Sequence, residues 1–504
     1  MSTPKEVEIK LELPGELTKL PLSSNDNDPA QSEDLTSVYF DTDRLKLHKH
    51  GVTLRVRRIG DHYVQTIKAS NGELFERGEW ETEITGDRPD LDAARGTALQ
   101  PFIDEDFQNE LRPVFETRVR RSTYPLVTKD YEITLSIDHG SIDTGKNTIA
   151  FDEAELELKR GSRAHLFKIA RSLSRSAHAD LAVKSKSQRG YELLDGFKAA
   201  VEKTDSVTIE AGMTTSDAFR LVANACLKQI VANKPAVLAS DPEGIHQMRV
   251  GLRRLRTAMS LFSDIIPGKK TDDIKIELKW LTGELSPSRE LDVFLTEVVH
   301  PLEDSAHSAE LRPLTGELAK RRDVALERVK SAVHSQRFRK LTLNVAEWLE
   351  IGRWRRPQDM LLRQRCEEPV EVAMVAQLNR RWRKIRKRGR RLLELDTRQR
   401  HKLRIQAKKI RYASEFFETL FPEKKMRKRR RKFVAAVKDI QTCLGDLNDI
   451  SVHISRSKEI AAEMSEATFA AGLVIGHEEA RETTVLVAAA QAHKTFSNAR
   501  PYWK

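Results

Sequence analysis

The sequence predicts an α+β chain in two parts. The first is an antiparallel sheet of about eight strands, enough to close a small barrel; the second is an all-α bundle built from a duplicated helical unit. Three observations predict this. Short segments in which charged and apolar residues alternate recur from Glu6 to Lys159, the period-2 mark of strands with unlike faces. Beyond about residue 216 the alternation gives way to heptad-like apolar spacing, the mark of helices. Within that helical half two stretches copy one another, as internal repeats do.

The strands follow from the alternation. Glu6-Val-Glu-Ile-Lys10 places Glu6, Glu8 and Lys10 on one face and Val7 and Ile9 on the other. Ser37–Phe40, Leu54–Arg57, Gln65–Lys68, Glu79–Glu83, Glu116–Arg120, Glu132–Asp138 and Glu153–Lys159 continue the pattern. A helix is predicted over Arg163–Arg175. The polar, acidic stretch Ser23–Asp34, after Pro14-Gly15, reads as a short helical turn and a mobile loop. The predicted division is 1–200, a linker at 201–215, and 216–504 with repeats at about 216–350 and 371–504.

The repeats open with His246-Gln-Met-Arg-Val-Gly-Leu-Arg-Arg-Leu-Arg256 and His401-Lys-Leu-Arg-Ile-Gln-Ala-Lys-Lys-Ile-Arg411. Counting from each histidine, offsets 3, 7 and 10 are Arg249, Arg253 and Arg256 in one copy and Arg404, Lys408 and Arg411 in the other. Offsets 0, 3, 7 and 10 share one helical stripe, where a packed helix would ordinarily bury leucine. Pro267 and Pro422 each stand 21 residues after their histidine. A second helix in each copy leads to Asp292 and Asp449, so two like units are expected to pair about a pseudo-twofold axis and bring both basic stripes to one surface. Gly352–Val370 reads as an extended connection, and Lys424–Lys432, with eight basic residues in nine, as a flexible charged loop.

Composition narrows the partners. The chain carries a formal charge of +12, yet 24 Lys/Arg against five Asp/Glu lie between Ala376 and Lys432, leaving the rest near −7. Such asymmetry points to a polyanion for the second half. No apolar run reaches the ~18 residues that span a bilayer, and Met1–Glu6 has no signal-peptide character, so a cytoplasmic protein without membrane attachment is expected. Cys226, Cys366 and Cys443 lack a metal-binding pattern and read as reduced thiols.

Alternation leaves open which face of the sheet points inward. One solution is an apolar core with a solvated charged face; the other is a charged lumen. The charges are sorted by sign, some strands wholly acidic and others wholly basic. A solvated face gains little from this, since exposed pairs contribute ~0–1 kcal/mol. In a lumen, crowded carboxylates repel unless a cation sits among them, and the cations opposite need an anion; a metal ion with a polyphosphate meets both needs.

The opening Glu6-x-Glu8-x-Lys10 is followed by Tyr39-Phe-Asp-Thr42, Gly51–Arg57, Gln65–Lys68, Glu79-Trp-Glu81, Arg118-Val-Arg120, Ile137-Asp138, Glu153–Leu158 and Ser185–Tyr191. In this order the motifs resemble the CYTH domain, the triphosphate tunnel metalloenzyme superfamily, over residues 5–193. The resemblance implies an eight-stranded antiparallel tunnel with flanking helices whose inward charges bind a triphosphate. It implies Mg²⁺ or Mn²⁺ held by Glu6, Glu8, Glu155 and Glu157, and phosphate oxygens gripped by Lys10, Arg55, Arg57, Lys68, Arg118, Arg120 and Lys186. Glu81, Asp138 and Glu153 are candidates for further metal or water contacts. Phosphoryl transfer to water rests on positioning and charge neutralisation, the chemistry these residue types supply. Relatives usually carry a clearer helix where this chain has Ser23–Asp34, so substrate access is expected to differ.

The second half is similar to the CHAD domain, an α-helical module associated with inorganic polyphosphate, over about residues 216–504 including Ala499–Trp503. The resemblance places polyphosphate on His246, Arg249, Arg253, Arg254 and Arg256 and on His401, Arg404, Lys408, Lys409 and Arg411. Arginine forks and lysine point charges suit phosphate oxygens. The histidines read as phosphate or capping donors, since no ligand spacing around them forms a metal motif. Together the halves resemble the bacterial CYTH–CHAD inorganic triphosphatases, which implies a metal-dependent hydrolase of inorganic triphosphate and an association with polyphosphate, polyphosphate granules among the forms. The alternatives are a thiamine or nucleoside triphosphatase, an adenylyl-cyclase-like tunnel enzyme, or a non-catalytic polyphosphate scaffold. Nucleic acid is disfavoured because no aromatic platform accompanies the stripe, although Trp382 and Tyr412 lie nearby.

Overall fold

A computed structural model describes residues 5–15, 31–70, 73–104, 106–194, 196, 201–204, 207–303 and 307–504. They form two compact units. The first holds the described residues up to Lys203 with Leu227–Met248 and Val333–Gly352; the second holds Thr204–Cys226, Arg249–Ala332 and Arg353–Lys504.

The first unit is built on strands β1 (Lys5–Glu12), β2 (Gln31–Asp41), β3 (Val52–Ile59), β4 (His62–Ala69), β5 (Glu76–Ile84), β6 (Arg112–Val127), β7 (Glu132–Asp143), β8 (Thr148–Arg160) and the short β9 (Asp180–Ala182). Their order is β5-β4-β3-β2-β6-β7-β8-β1-β9, and β1 also pairs with β5. The first eight therefore close into an antiparallel barrel. One edge of β1 is shared: Lys5, Glu6 and Val7 face β5, and Lys10, Leu11 and Glu12 face β9.

The apolar residues of the alternation lie outside the barrel. Ile9 and Leu11 of β1, Leu135 and Ile137 of β7 and Ala154 and Leu156 of β8 are buried. The helix Arg163–Ser176 packs on β1 and β8, with Leu166, Phe167, Ala170 and Leu173 buried along it. Ser162 caps it by accepting from the Ala164 amide, satisfying one of the amides a helix start leaves open. On β2–β4, Phe40, Val52, Leu54, Val56 and Ile67 are covered by Ala94, Leu99, Phe107 and Leu111. On these strands, whose outer face is sealed by hydrocarbon, the intervening charged positions point into the lumen. The solvated-face solution is excluded.

One end of the lumen is filled by the helix Lys186–Leu194. Its Tyr191 and Leu193 join Leu35, Tyr39, Phe115, Val119, Ile142 and Phe151 in one cluster. Tyr191 Oη donates to Asp41 Oδ2 at 3.0 Å, and Asp41 also accepts from the amides of Thr42, Leu47 and His48. Gly190 lies so close to Phe115 that a Cβ there would come 2.3 Å from the ring.

Two segments from later in the sequence complete the first unit. The helix Gln336–Ile351 packs against Arg163–Ser176, where Arg163 bridges Glu76 and Glu350 and Arg171 meets Glu347. Lys234 reaches Asp180 at 2.5 Å. The compact units thus do not follow a single cut in the sequence.

The second unit contains the helices Lys269–Phe294, Val370–Arg388, Thr397–Phe416, Lys424–Glu463 and Thr468–Asn498. The helix Pro242–Leu261 carries the first basic stripe, and Thr397–Phe416 carries the second, opened by a capping box between Asp396 and Gln399. Four expectations change here. Lys424–Lys432 is the start of a 40-residue helix, although cations oppose the dipole at a helix N-terminus; Phe433 and the Arg430–Glu418 pair anchor it. Gly352–Val370 holds the helix Met360–Glu367 within it. Gln31–Asp34 belong to β2, while residues 16–30 lie outside the described residues. The 207–214 segment is pinned down: Ile209 is buried and its N–H and C=O both bond Thr419.

Gly190→Ala forces an extra methyl against a ring that stacks on Tyr39 at 4.5 Å. We expect a loss of ~1–3 kcal/mol from overpacking, read as a lower midpoint for the first thermal transition in calorimetry.

Candidate active site and basic cleft

Residues directly opposite one another on neighbouring strands share a face, so the register names the lumen. Glu6 faces Arg77, Lys68 faces Glu79, Thr66 faces both Arg55 and Glu81, and Ser37 faces Arg57. On the other side of β1, Glu8 faces Glu157 and Lys10 faces Glu155; across β6–β7–β8, Arg121 faces Asp138 and Asp138 faces Glu153. Lys186 and Arg189 enter from the helix that fills the end.

These charges neutralise each other in two groups. In the first, Arg77 ties Glu6, at 3.0 Å, to Glu8, and Lys68 holds Glu6 at 3.0 Å and Glu79 at 2.6 Å. In the second, Arg121 forks onto Asp138 at 2.7 and 2.6 Å and reaches Glu155 at 2.6 Å. Lys186 lies within 2.8 Å of Asp138, Glu153 and Glu155, Arg189 meets Glu153, and Lys10 joins Glu8, at 2.9 Å, to Glu155.

The environment splits the acids. Burial opposes ionisation of Glu155, but Lys10, Lys186 and Arg121 hold its carboxyl well below the usual range. Asp138 is likewise lowered against burial by Lys186 and Arg121. Glu6 is driven down by Lys68, its hydrogen bond with Glu79 and Arg77, again against burial. Its partner Glu79 is pushed up to about 7 by burial and the shared hydrogen bond, against the pull of Lys68. Among the bases, burial and the repulsion of Arg55 and Arg121 bring Arg57 down to about 10. Its Nε donates to Ser37 at 3.2 Å. A buried cation lowered by other cations is a subsite waiting for an anion.

Each expected tunnel residue can now be placed. Glu6, Glu8, Lys10, Arg55, Arg57, Lys68, Glu81, Asp138, Glu153, Glu155, Glu157 and Lys186 share the lumen, although Glu81 is half exposed. Arg118 and Arg120 do not. Both are exposed on the outer face of β6, where Arg118 pairs with Glu116 at 2.6 Å; the lumen position is Arg121. That outer face is open to solvent, so β6's apolar residues, Phe115 and Val119, are the inward ones and the parity of the strand reverses. Arg77, Glu79 and Arg189 were also passed over. Arg77 and Glu79 carry the alternation of Glu81 four and two residues upstream, and Arg189 lies three residues, one helical turn, after Lys186.

Of the six acids expected to hold a metal, Asp138, Glu153 and Glu155 bring carboxylate oxygens within 4.8 Å of one another. An all-carboxylate set suits a hard divalent cation such as Mg²⁺ or Mn²⁺, and the low values of Asp138 and Glu155 keep their oxygens ionised for it. Glu6 and Glu8 stand apart with Arg77, and Glu157 pairs with Lys159 at 2.5 Å.

In the second unit the repeats contact each other reciprocally. Arg254, at offset 8 of the first, reaches Glu415, at offset 14 of the second, at 3.1 Å. Lys409, at offset 8 of the second, reaches Ser260, at offset 14 of the first, at 2.9 Å. Such exchange marks a local twofold relation. Between these contacts Arg253 comes close enough to Arg249, Arg404 and Lys408 to lower all three, after burial. Burial and Arg253 lower Arg249 to about 10, while Asp449 lies 3.9 Å from Arg404. The remaining stripe residues divide. Arg254 and Lys409 hold the repeats together, Arg256 is exposed, and Arg411 is taken by Gln441 at 2.8 Å and Glu415 at 3.0 Å. His401 contacts Asn448 at 3.0 Å, and His246 is half-buried.

Comparison with protein families matches a CYTH domain over residues 4–191 and a CHAD domain over 221–457. The chain carries a CYTH domain followed by a CHAD domain. Among solved structures it is similar to the CHAD domain of Ricinus communis, with 26% identity over 58% of this chain and 96% of that one, at a TM-score of 0.51. It is also similar to a putative adenylate cyclase from Bacillus halodurans, 18% identical over 37% of this chain and 97% of the other, TM-score 0.27. A protein from Hippeastrum described as a putative adenylyl cyclase with a dominant triphosphatase activity is 17% identical over 37% and 95%, TM-score 0.29. No match was found among curated proteins. No helix among the described residues is long and apolar enough to cross a membrane.

The CYTH lumen makes a stability claim. Replacing Arg121 by Leu leaves Asp138 and Glu155 short of a counter-ion and is expected to cost ~3 kcal/mol. Arg118→Ala, on the exposed face, should stay within ~0.5 kcal/mol. Urea unfolding monitored by circular dichroism compares the two.

Proposed function

We propose that the protein is a metal-dependent hydrolase of inorganic triphosphate, giving diphosphate and phosphate, whose CHAD domain binds longer polyphosphate. The observation that carries this reading is the composition of the lumen. Glu6, Glu8, Glu33, Glu79, Glu81, Glu83, Asp138, Glu153, Glu155 and Glu157 share the lumen face with Lys10, Arg55, Arg57, Lys68, Arg77 and Arg121, and Lys186 and Arg189 enter beside them. A lumen with at least as many carboxylates as cations cannot take up a triphosphate alone without leaving its charge unmet; a divalent cation entering with the anion offsets that charge.

Asp138, Glu153 and Glu155 are the residues that would hold the metal. Bound there, a divalent ion would screen phosphate charge and lower the pKa of a coordinated water. The protein's own cations do the rest. Arg55 and Arg57 seat phosphate oxygens beside the aromatic end, while Lys10, Arg121 and Lys186 turn from carboxylates to the anion, fixing it in a closed, low-dielectric space.

The filled end supports an inorganic substrate over a nucleoside or thiamine triphosphate. There Tyr39, Phe115, Phe151 and Tyr191 pack without room for a methyl on Gly190, so no organic group fits between them. Cytoplasmic placement accords with three free thiols. For the CHAD domain, a phosphate chain is favoured over nucleic acid because Tyr412 is buried and Trp382 lies under Arg386 and Lys504 at 4.6 and 4.9 Å, leaving no bare ring for a base.

Glu8→Gln and Glu155→Gln should each lower phosphate release from tripolyphosphate by ~10²-fold or more, chelation should abolish it, and ATP should be the poorer substrate. Full activity in Glu155→Gln would remove the tunnel from the reaction. Replacing Arg249, Arg253, Arg404 and Lys408 together by Ala should weaken long-chain polyphosphate binding and flatten its dependence on log salt by about 3–4 in slope. Fluorescence anisotropy across a salt series reads both.

A further inference from the structure

The two ends of the exchange between the repeats are alike in position and unlike in charge. At one end Arg254, at offset 8, meets Glu415, at offset 14 of the other copy, at 3.1 Å. Arg411, at offset 10, meets the same carboxylate at 3.0 Å. At the other end offset 8 is Lys409, offset 10 is Arg256 and offset 14 is Ser260. The two cations recur; the carboxylate between them does not. Lys409 Nζ reaches Ser260 Oγ at 2.9 Å, and the exposed Arg256 stands one helical turn before Ser260.

A third position widens the difference. Cys226 and Arg381 each stand 20 residues before their histidine. Cys226 meets Arg254 as a neutral thiol, which burial pushes up to about 11. Arg381 instead brings a third cation: its Nη2 donates to the Ser260 carbonyl at 3.0 Å. Arg381 is 9% exposed, and its Nε is buried without a hydrogen-bond partner among the described residues. Asp264, the acid on this side, is met by Gln377 at 3.4 Å and by Arg380 at 3.8 Å. Buried cations cost free energy unless an anion meets them. Burial, then Arg381, Lys384 and Arg256, lower the Lys409 amine, as like charges without a counter-ion do. Serine in place of glutamate also turns the centre of the site from acceptor to donor, since the hydroxyl that accepts from Lys409 keeps a proton to give.

We propose that the Ser260 end of the repeat interface binds a single phosphate group, held by Lys409, Arg381 and Arg256 in the place that the Glu415 carboxylate fills at the other end. Three charged donors and a hydroxyl around one point suit a tetrahedral oxyanion that carries close to two charges at neutral pH. The ligand is free orthophosphate or the last phosphate of a chain, which present the same oxygens. The site shares no residue with the cleft of Arg249, Arg253, Arg404 and Lys408, calls for no metal, and is independent of any reaction in the tunnel.

Equilibrium dialysis of the full-length protein against radiolabelled orthophosphate, in EDTA, counts the sites. The wild type is expected to hold one phosphate more than Ser260→Glu, which restores the carboxylate of the other copy. The same difference of one is expected when Arg249, Arg253, Arg404 and Lys408 are all Ala, which separates this site from the cleft. Ser260→Glu should melt no lower than the wild type, because the new carboxylate meets Lys409 and Arg381. Arg381→Leu should lose the same phosphate and serves should Ser260→Glu fail to fold. Equal counts in the wild type and a folded variant overturn the proposal, as does a difference that vanishes in the cleft background. Unlabelled tripolyphosphate that displaces the label assigns the site to chain ends, and label that stays assigns it to free orthophosphate; either result upholds a phosphate site.

Discussion

Closure of the barrel through β1 and β5 is the constraint from which the rest of the tunnel follows. The seam is three residue pairs long, Lys5 with Gly78, Glu6 with Arg77 and Val7 with Glu76, yet it converts a two-faced sheet into an enclosed space. Once the barrel is closed, the hydrocarbon face is covered by Arg163–Ser176 on one side and by Leu99, Phe107 and their neighbours on the other, and on the strands so covered the charged face must look inward. Charges removed from water have to be met by one another. Arg77 and Arg121 each clamp two carboxylates, so the pairing that permits burial also fixes where each acid stands.

Most of this was legible in the sequence because strand parity and cross-strand pairing obey the same period. Wherever one face is sealed by apolar packing, as on β1, β3, β4 and β8, the charged residues named from alternation stand in the lumen. Parity fails on β6, whose outer face is solvated. There Arg118 and Arg120 have water on their side, Phe115 and Val119 line the filled end, and Arg121 is the inward cation. Nothing local distinguishes the two registers of Thr117–Ser122; only the identity of what covers the strand does. The same reason hides the helices that complete the first unit. Gln336–Ile351 carries an apolar face like any bundle helix, and its docking on Arg163–Ser176 becomes visible only through Arg163–Glu350 and Arg171–Glu347.

The duplication was legible at a finer grain. Equal offsets in the two copies anticipate that they meet about a twofold, and the exchange of offset 8 with offset 14 shows the form it takes. The chemistry at the two ends has diverged: Arg254 with Glu415 is an ion pair, whereas Lys409 with Ser260 is a single hydrogen bond. A sequence read one copy at a time assigns Arg254 and Lys409 to a ligand along with their neighbours on the helix. Only the paired structure shows that these two hold the repeats, leaving Arg249, Arg253, Arg404 and Lys408 to face the cleft.

On the proposed reading, the two domains would meet phosphate with opposite electrostatics. In the tunnel most cations are held by carboxylates, Arg57 with its bond to Ser37 excepted, so on the proposed reading an entering anion would have to be accompanied by something that takes the carboxylates over. In the cleft Asp449 and Glu290 fall short of the cations around them, and the deficit itself attracts an anion without a metal. On that reading a tunnel whose charges pair with one another when empty would suit turnover, since product would leave behind a lumen able to re-form its own pairs. A cleft that is positive when empty suits retention. The difference follows from how many acids each fold brings within reach of its bases.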